Sequence, residues 1–259
     1  MNDLSAMIWV ETRKALRSRM PLFTVLGSLF MPLGIAFLIF VARNPDISKK
    51  LGLVGAKANL MSYSATDWPA YLGLSGMIIA AAGFFLFVLI ISWVFGREFT
   101  DRTVKDVLAV PVARSSIVLA KFIVVAAWSA VLAIVIFIAS LATGALIQLP
   151  GGSFSVILHG SAIVLIGAAL AIVVVLPFGL LASMGRGYML PIGVAFLVLI
   201  MTNVVALVGW GDYFPWAVPG LYAQGKGALA PISYWLVLLT GLAGMIGTYL
   251  WWMHADQSK

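Results

Sequence analysis

Residues 122–185 contain no Asp, Glu, Lys or Arg. At about 20 residues per crossing of a ~30 Å hydrocarbon layer, that run is enough for two transmembrane helices and a turn between them. The turn is visible as Leu149-Pro150-Gly151-Gly152-Ser153, whose residue types break helices and set tight reversals. The rest of the chain follows suit, with 63% hydrophobic and 10% charged residues, against about a quarter charged in a soluble domain. A fold of this size leaves much of its surface exposed, so the composition calls for lipid as the solvent. Charged residues gather in a few clusters, and no polar block is large enough to fold by itself. We therefore expect residues 1–259 to form one transmembrane domain of the all-α class.

Six stretches are long and apolar enough to span: 22–41, 72–95, about 117–149, 154–183, 188–208 and 232–253. The first exceeds the roughly 7–15-residue apolar core of a cleaved signal peptide and is read as a permanent helix. The third should project beyond the bilayer at one end, with Lys121 snorkelling there. With the N-terminus inside, the inner segments carry Arg13, Lys14, Arg17, Arg19, Arg97, Arg102, Lys105, Arg114, Lys121, Arg186 and Lys259. The outer ones carry Arg43, Lys49, Lys50, Lys57 and Lys226. The excess of inner cations predicts a multi-pass cell-membrane protein with both termini cytoplasmic. Pro32, Pro177 and Pro191 should kink their helices.

Two flanking segments carry patterns of their own. Within residues 1–21, Leu4, Met7, Ile8 and Ala15 share one helical face, interrupted by Glu11, while Arg13, Lys14 and Arg17 lie on the other side. This reads as an interfacial helix whose cations sit near lipid phosphates; the competing reading is a solvated basic tail. Trp9, Leu16 and Met20 form a second apolar strip suited to another helix or a partner chain. Residues 209–231 hold Trp210, Tyr213, Phe214, Trp216 and Tyr222, rings suited to the membrane interface. Three prolines and five glycines there forbid a continuous helix. A short re-entrant or interface-lying element and an ordinary interfacial loop both fit.

Little in the spans can do chemistry. The chain has no cysteine, which excludes disulfides, thiolate metal sites and cysteine nucleophiles. His159 and His254 lie near opposite helix ends without a carboxylate nearby in sequence, a poor arrangement for metal or haem. Asn203, Thr202 and Ser140 are candidates for a substrate path or for bonds between helices. Gly241, Gly244, Gly247 and Thr248 give the last span a small-residue face for close packing. A proton-coupled transporter would need titratable groups at depth, and an intramembrane enzyme would need paired polar groups; neither pattern is present. The net charge of +7 follows from lysine and arginine on inner loops and near anionic headgroups, not from nucleic-acid binding.

The informative segment is 96–116, between the second and third spans. Val104, Val107 and Leu108 recur at helical spacing among Glu98, Asp101, Arg102, Lys105 and Asp106. That predicts a short amphipathic helix, ended by Pro111 with Val110 extended, and Ser115 or Ser116 as cap of the next helix. Such a helix between two spans is a mechanical handle for a soluble partner; the alternative is a solvated connecting loop. The segment resembles the conserved loop of ATP-binding-cassette (ABC) exporter permeases of the second type. Those carry a glutamate after the second span, then a threonine, leucines, Pro-x-x-Arg and a lysine entering the third span. Glu98, Thr103, Leu108, Pro111, Arg114 and Lys121 match. Many members have glycine before the threonine, where Arg102 stands here, a departure closer to the bacitracin- and lantibiotic-export or immunity branch.

The resemblance implies two permease chains forming a pathway for an amphipathic peptide, antibiotic or lipid-like substrate, above two separate ATPase subunits. The short helix would be the coupling helix, with Glu98 and Arg102 tying it to the N-terminal helix or to the ATPase. The chain lacks a Gly-x-x-x-x-Gly-Lys-[Ser/Thr] loop, so ATP and Mg would belong to that partner. Glu98→Ala or Arg114→Ala is expected to leave insertion intact and uncouple hydrolysis from export. An ATP-independent transporter and a sensory or structural membrane subunit are the other readings.

Overall fold

The computed structural model describes residues 3–43, 67–225 and 229–254. Most of the first outer loop, with Lys49, Lys50 and Lys57, lies outside the described residues, as do Lys226 and Lys259. The elements run α1 (Asp3–Arg17), α2 (Met20–Arg43), α3 (Trp68–Thr100), α4 (Val104–Ala109), α5 (Arg114–Leu146), α6 (Phe154–Met184), α7 (Met189–Leu207), α8 (Val218–Gln224) and α9 (Pro231–His254). Helices α2, α3, α5, α6, α7 and α9 are long and apolar enough to cross a membrane, and no strand occurs among the described residues. This is the expected six-span, all-α plan.

The helix starts follow local chemistry. The Asp67 carboxylate accepts from the Ala70 N–H at 2.9 Å, and Pro69 occupies the first turn of α3, where its missing N–H costs nothing. Ser153 accepts from the Val156 N–H at 3.4 Å and opens α6. Helix α5 departs from expectation. It starts from Ala113, so Ser115 and Ser116 lie inside its first turn and do not cap it. The Pro111 turn closes early, with the Val112 N–H on the Val110 carbonyl at 2.8 Å, and the helix begins as soon as the backbone is released.

The helix ends share one device. After α3, the Thr103 N–H reaches the Glu98 carbonyl at 2.8 Å and the Arg102 N–H reaches Phe99 at 3.3 Å. Helices α5, α6 and α7 end with the same paired bonds, from Leu149 to Gly144, Gly187 to Ala182 and Trp210 to Val205. This is the Schellman closure, which needs a left-handed residue just past the helix. Arg102, Gln148, Arg186 and Gly209 supply it, at φ of 59°, 54°, 50° and 84°. Carbonyls that would face lipid unpaired are satisfied within the chain.

Helices α3, α5 and α6 contribute most of the buried core, with Phe87, Phe95, Ile91, Phe178 and Val164 inside it. Helix α6 is interrupted at Leu176-Pro177, because Pro177 cannot donate to the preceding turn. The small-residue face of α9 packs on that break. A Cβ at Gly244 would collide with the Pro177 backbone, and one at Gly241 would lie 2.6 Å from Val173 Cγ1. Trp252 Nε1 donates to Ser183 Oγ at 3.0 Å, fastening the far end of the same contact. Pro32 lies within α2. Pro191 is in the first turn of α7, where a missing N–H removes no intrahelical bond, so the kink expected there has no cause.

The segment after α7 forms a 3-10 turn at Gly211–Tyr213 and then α8. It packs inward against α3 and α6. Ala223 fills the space beside Gly76, the Pro219 carbonyl approaches Gly167, and Gly220 faces Ala80 in the wide π turn of α3 at Ile79–Gly83. Trp216 Nε1 donates to the Val174 carbonyl at 2.9 Å. Val174 lies about 30 Å along α6 from its Phe154 end at 1.5 Å per residue. Trp210 and Tyr213 stay exposed.

Candidate functional site

The charged residues of α1, α3, α4 and α5 meet at one end of the bundle, and four of them close a ring. Glu11 of α1 and Glu98 in the last turn of α3 face Lys14 of α1 and Lys121 of α5. Lys14 Nζ is 2.7 Å from Glu11 Oε1 and 2.9 Å from Glu98 Oε1. Lys121 Nζ is 3.2 Å from Glu11 Oε2 and 2.9 Å from Glu98 Oε1, and it also donates to the Val94 carbonyl at 2.9 Å. Two acids and two bases make the ring neutral overall, which is what allows charge to be buried. Burial by itself would lower the Lys14 pKa. The Glu98 and Glu11 charges and hydrogen bonds to both outweigh it and hold Lys14 above the ordinary lysine value. Lys14 is therefore a cation throughout the physiological range.

This geometry corrects one expectation. Lys121 does not snorkel outward; its side chain is 1% exposed. Helix α1 packs across α5 and roofs the lysine, so the ammonium finds carboxylates more easily than water. Glu11, which interrupts the apolar face of α1 in sequence, is the group that makes this docking possible. Its partners are Lys14, one turn on in the same helix, and Lys121 of α5, far along the chain. The only local hint was its position in line with Met7 and Ala15, all three buried.

Helix α4 follows the ring member Glu98 along the chain, with the Thr103 N–H on the Glu98 carbonyl just before it. Val104 is buried, and Val107 and Leu108 are half-buried against the core. Lys105, Asp106, Ala109, Val110 and Pro111 are exposed on its outward side. Val110 is extended, with φ −68° and ψ 136°, as a residue before proline should be. Thr103 precedes α4 without a side-chain capping bond. Arg102 is exposed and left-handed. Arg114 Nη1 donates to the Trp252 and Met253 carbonyls at 3.2 and 3.4 Å, so it caps the C-terminal end of α9, where a cation is favoured. Of the six loop residues, Glu98 joins the buried ring, Thr103 is half-buried with its N–H on the Glu98 carbonyl, Leu108 and Arg114 anchor the loop to the bundle, and Arg102 and Pro111 face outward.

The candidate pathway residues do not converge. Thr202 Oγ1 donates to the Val198 carbonyl at 2.8 Å and Asn203 Nδ2 to Leu199 at 2.8 Å, both within α7. Asn203 is exposed on the outer face of that helix. Ser140 is buried on α5, where its carbonyl accepts from Thr143 Oγ1 at 3.0 Å. Thr143 in turn meets Tyr71 Oη at 2.6 Å. These are bonds within helices and one helix–helix contact.

Six apolar spans, a charged end and an outward loop helix between the second and third spans define a multi-pass membrane protein. Residues 7–203 match the family described as ABC-2 family transporter protein, and the chain belongs to that family. It is also 26% identical over 148 residues to the bacitracin transport permease protein BCRB of Bacillus licheniformis, an overlap of 57% of this chain and 71% of that relative. The chain is accordingly the membrane subunit of an ABC transporter.

Proposed function

We propose that this permease works as a dimer driven by separate ATPase subunits, and that it exports an amphipathic peptide antibiotic or a similar lipid-like molecule. The observation that carries the reading is the placement of α4. Its apolar side packs against the core and its charged side faces out, and a short link joins it to α3, whose Glu98 belongs to the Glu11–Lys14–Glu98–Lys121 ring that ties α1, α3 and α5 together. Movement imposed on α4 passes through the three-residue link Asp101, Arg102 and Thr103 into α3, and through the ring into α1 and α5. In this reading the charged end is cytoplasmic, and the segment containing α8 re-enters the membrane from the other side. The bacitracin permease relative and the apolar helix faces are what support the substrate class. The buried acids do not suit a proton-coupled carrier, since each is paired with lysine and neither lies at mid-span.

The test is co-reconstitution with an ABC ATPase subunit that co-purifies with this chain. Substrate should stimulate ATP hydrolysis by the complex, and the exposed variant pair Lys105→Glu, Asp106→Lys on α4 should abolish that stimulation while the permease remains folded. Export by the permease in the absence of any ATPase would overturn the reading, and so would undiminished stimulation in the α4 variant.

A further inference from the structure

On the flank of α1 away from its core contact, an open cleft of about 400 Å³ lies between α1 and the last turns of α3. Trp9, Val10, Arg13, Lys14, Arg17, Ser18 and Arg97 line it. We propose that this cleft is a binding site for the phosphate of an anionic phospholipid, beyond the coupling role argued above and independent of it.

Four of the seven lining side chains are cations. Lys14 is committed to the buried ring and Arg97 Nε to Asp101 at 3.1 Å. Among the described residues, Arg13 and Arg17 have no ion pair, so the cleft carries surplus positive charge. The guanidinium of Arg13 stacks 4.7 Å from the Trp9 ring and that of Arg97 stacks 4.9 Å from Trp93. Stacking fixes each guanidinium plane and leaves its edge for a planar bidentate acceptor, the geometry that phosphate oxygens satisfy. Arg97 Nη1 is covered yet has no acceptor, so one charged donor still lacks its partner.

The level of the cleft selects lipid. Arg97 is in the final turn of a span, and Arg17 lies three residues before α2 enters its own. Both are at the ends of spanning segments, where headgroups lie, and basic pockets between helices at that level hold anionic headgroups. On the other flank of α1, Ile8, Leu16, Pro21, Val25, Trp128 and Val131 line an almost wholly apolar groove of about 310 Å³. A diacyl lipid would meet arginines at its phosphate and this groove along a chain. An acidic protein loop would match the first feature and not the second.

The experiment is native mass spectrometry of the purified chain loaded with equal phosphatidylglycerol and phosphatidylcholine, for wild type and for Arg13→Gln, Arg17→Gln together. Both arginines are exposed on α1, so the variant keeps the fold, which thermal melting verifies. Wild type should retain phosphatidylglycerol preferentially, the variant should retain about tenfold less or lower, and Arg13→Lys, Arg17→Lys should keep most of it. Equal retention of the two lipids by wild type overturns the proposal. Displacement of phosphatidylglycerol by millimolar inorganic phosphate would make the cleft a free-anion site instead. Unchanged lipid retention with loss of ATPase co-purification would assign it to an acidic protein surface. The lipid-retention outcomes do not depend on whether α4 couples to an ATPase.

Discussion

The ring at the charged end behaves as a unit, because each lysine touches both glutamates. Removing one member leaves an opposite charge buried and uncompensated, which costs about 3–5 kcal/mol. Glu98→Ala is therefore expected to destabilise the permease as well as uncouple it, so an intact but uncoupled protein is the wrong expectation for that substitution. A cleaner probe is reversal: Lys121→Glu alone should lower expression and melting temperature sharply, and Lys121→Glu with Glu98→Lys should recover a large part of both. Failure of the double variant to recover anything would mean the two residues are not coupled. Arg102 makes a second test. Its φ of 59° is the conformation that glycine adopts without the penalty of about 1–2 kcal/mol borne by other residues, which explains why glycine often stands there in the resembling loop. Arg102→Gly should raise stability by about 1 kcal/mol in a denaturation or melting assay; a lower melting temperature would show that the arginine side chain makes a compensating contact. The hydropathy pattern announced Lys121 as a charge at a helix end but gave no sign of what would cover it, since Glu11 lies 110 residues away in sequence. Contacts of that kind arise only from the way whole helices dock.

At the scale of elements, the six spans were legible because about 20 apolar residues in a row have one stable home. The boundaries were less so. Helix α3 begins at Trp68 and runs through Arg97 and Glu98 to Thr100, past the expected limits of 72 and 95, because Asp67 caps its start and the ring neutralises Glu98 near its end. The small-residue face of α9 was visible in sequence, but its partner was not. The break at Pro177 exposes backbone, and only glycine lets another helix approach it so closely. Gly244→Val should therefore fail to seat α9, because the nearest atoms are backbone and cannot yield. The expected result is a loss of at least about 3 kcal/mol, read as aggregation or protease sensitivity, while Gly34→Val, where a Cβ meets nothing within 4 Å, should be tolerated. Equal behaviour of the two variants would show that the α9–α6 contact does not govern folding.

For the molecule as a whole, the arrangement separates two ends with different tasks. One end gathers the ion ring, α4 and the arginine cleft. From the other, the segment carrying α8 reaches down between α3 and α6 until Trp216 meets the Val174 carbonyl. The sequence suggested a short element there from its aromatic, proline and glycine content, but not its depth, because depth depends on a carbonyl near the Pro177 break of another helix. The absence of cysteine from the chain makes the arrangement directly measurable, since each introduced cysteine is a single label. Val110→Cys, exposed on the outward side of α4, should be modified by a membrane-impermeant maleimide only when the cytoplasmic face is opened. Tyr213→Cys, exposed beyond α7, should be modified from outside in intact cells. Trp216→Cys should resist both, because its position lies well along the spans and away from either surface. Labelling of Val110→Cys in intact cells would turn the permease over and leave α4 with no ATPase to meet. Ready labelling of Trp216→Cys from outside would instead place the α8 segment at the surface, with the ring and α4 unaffected.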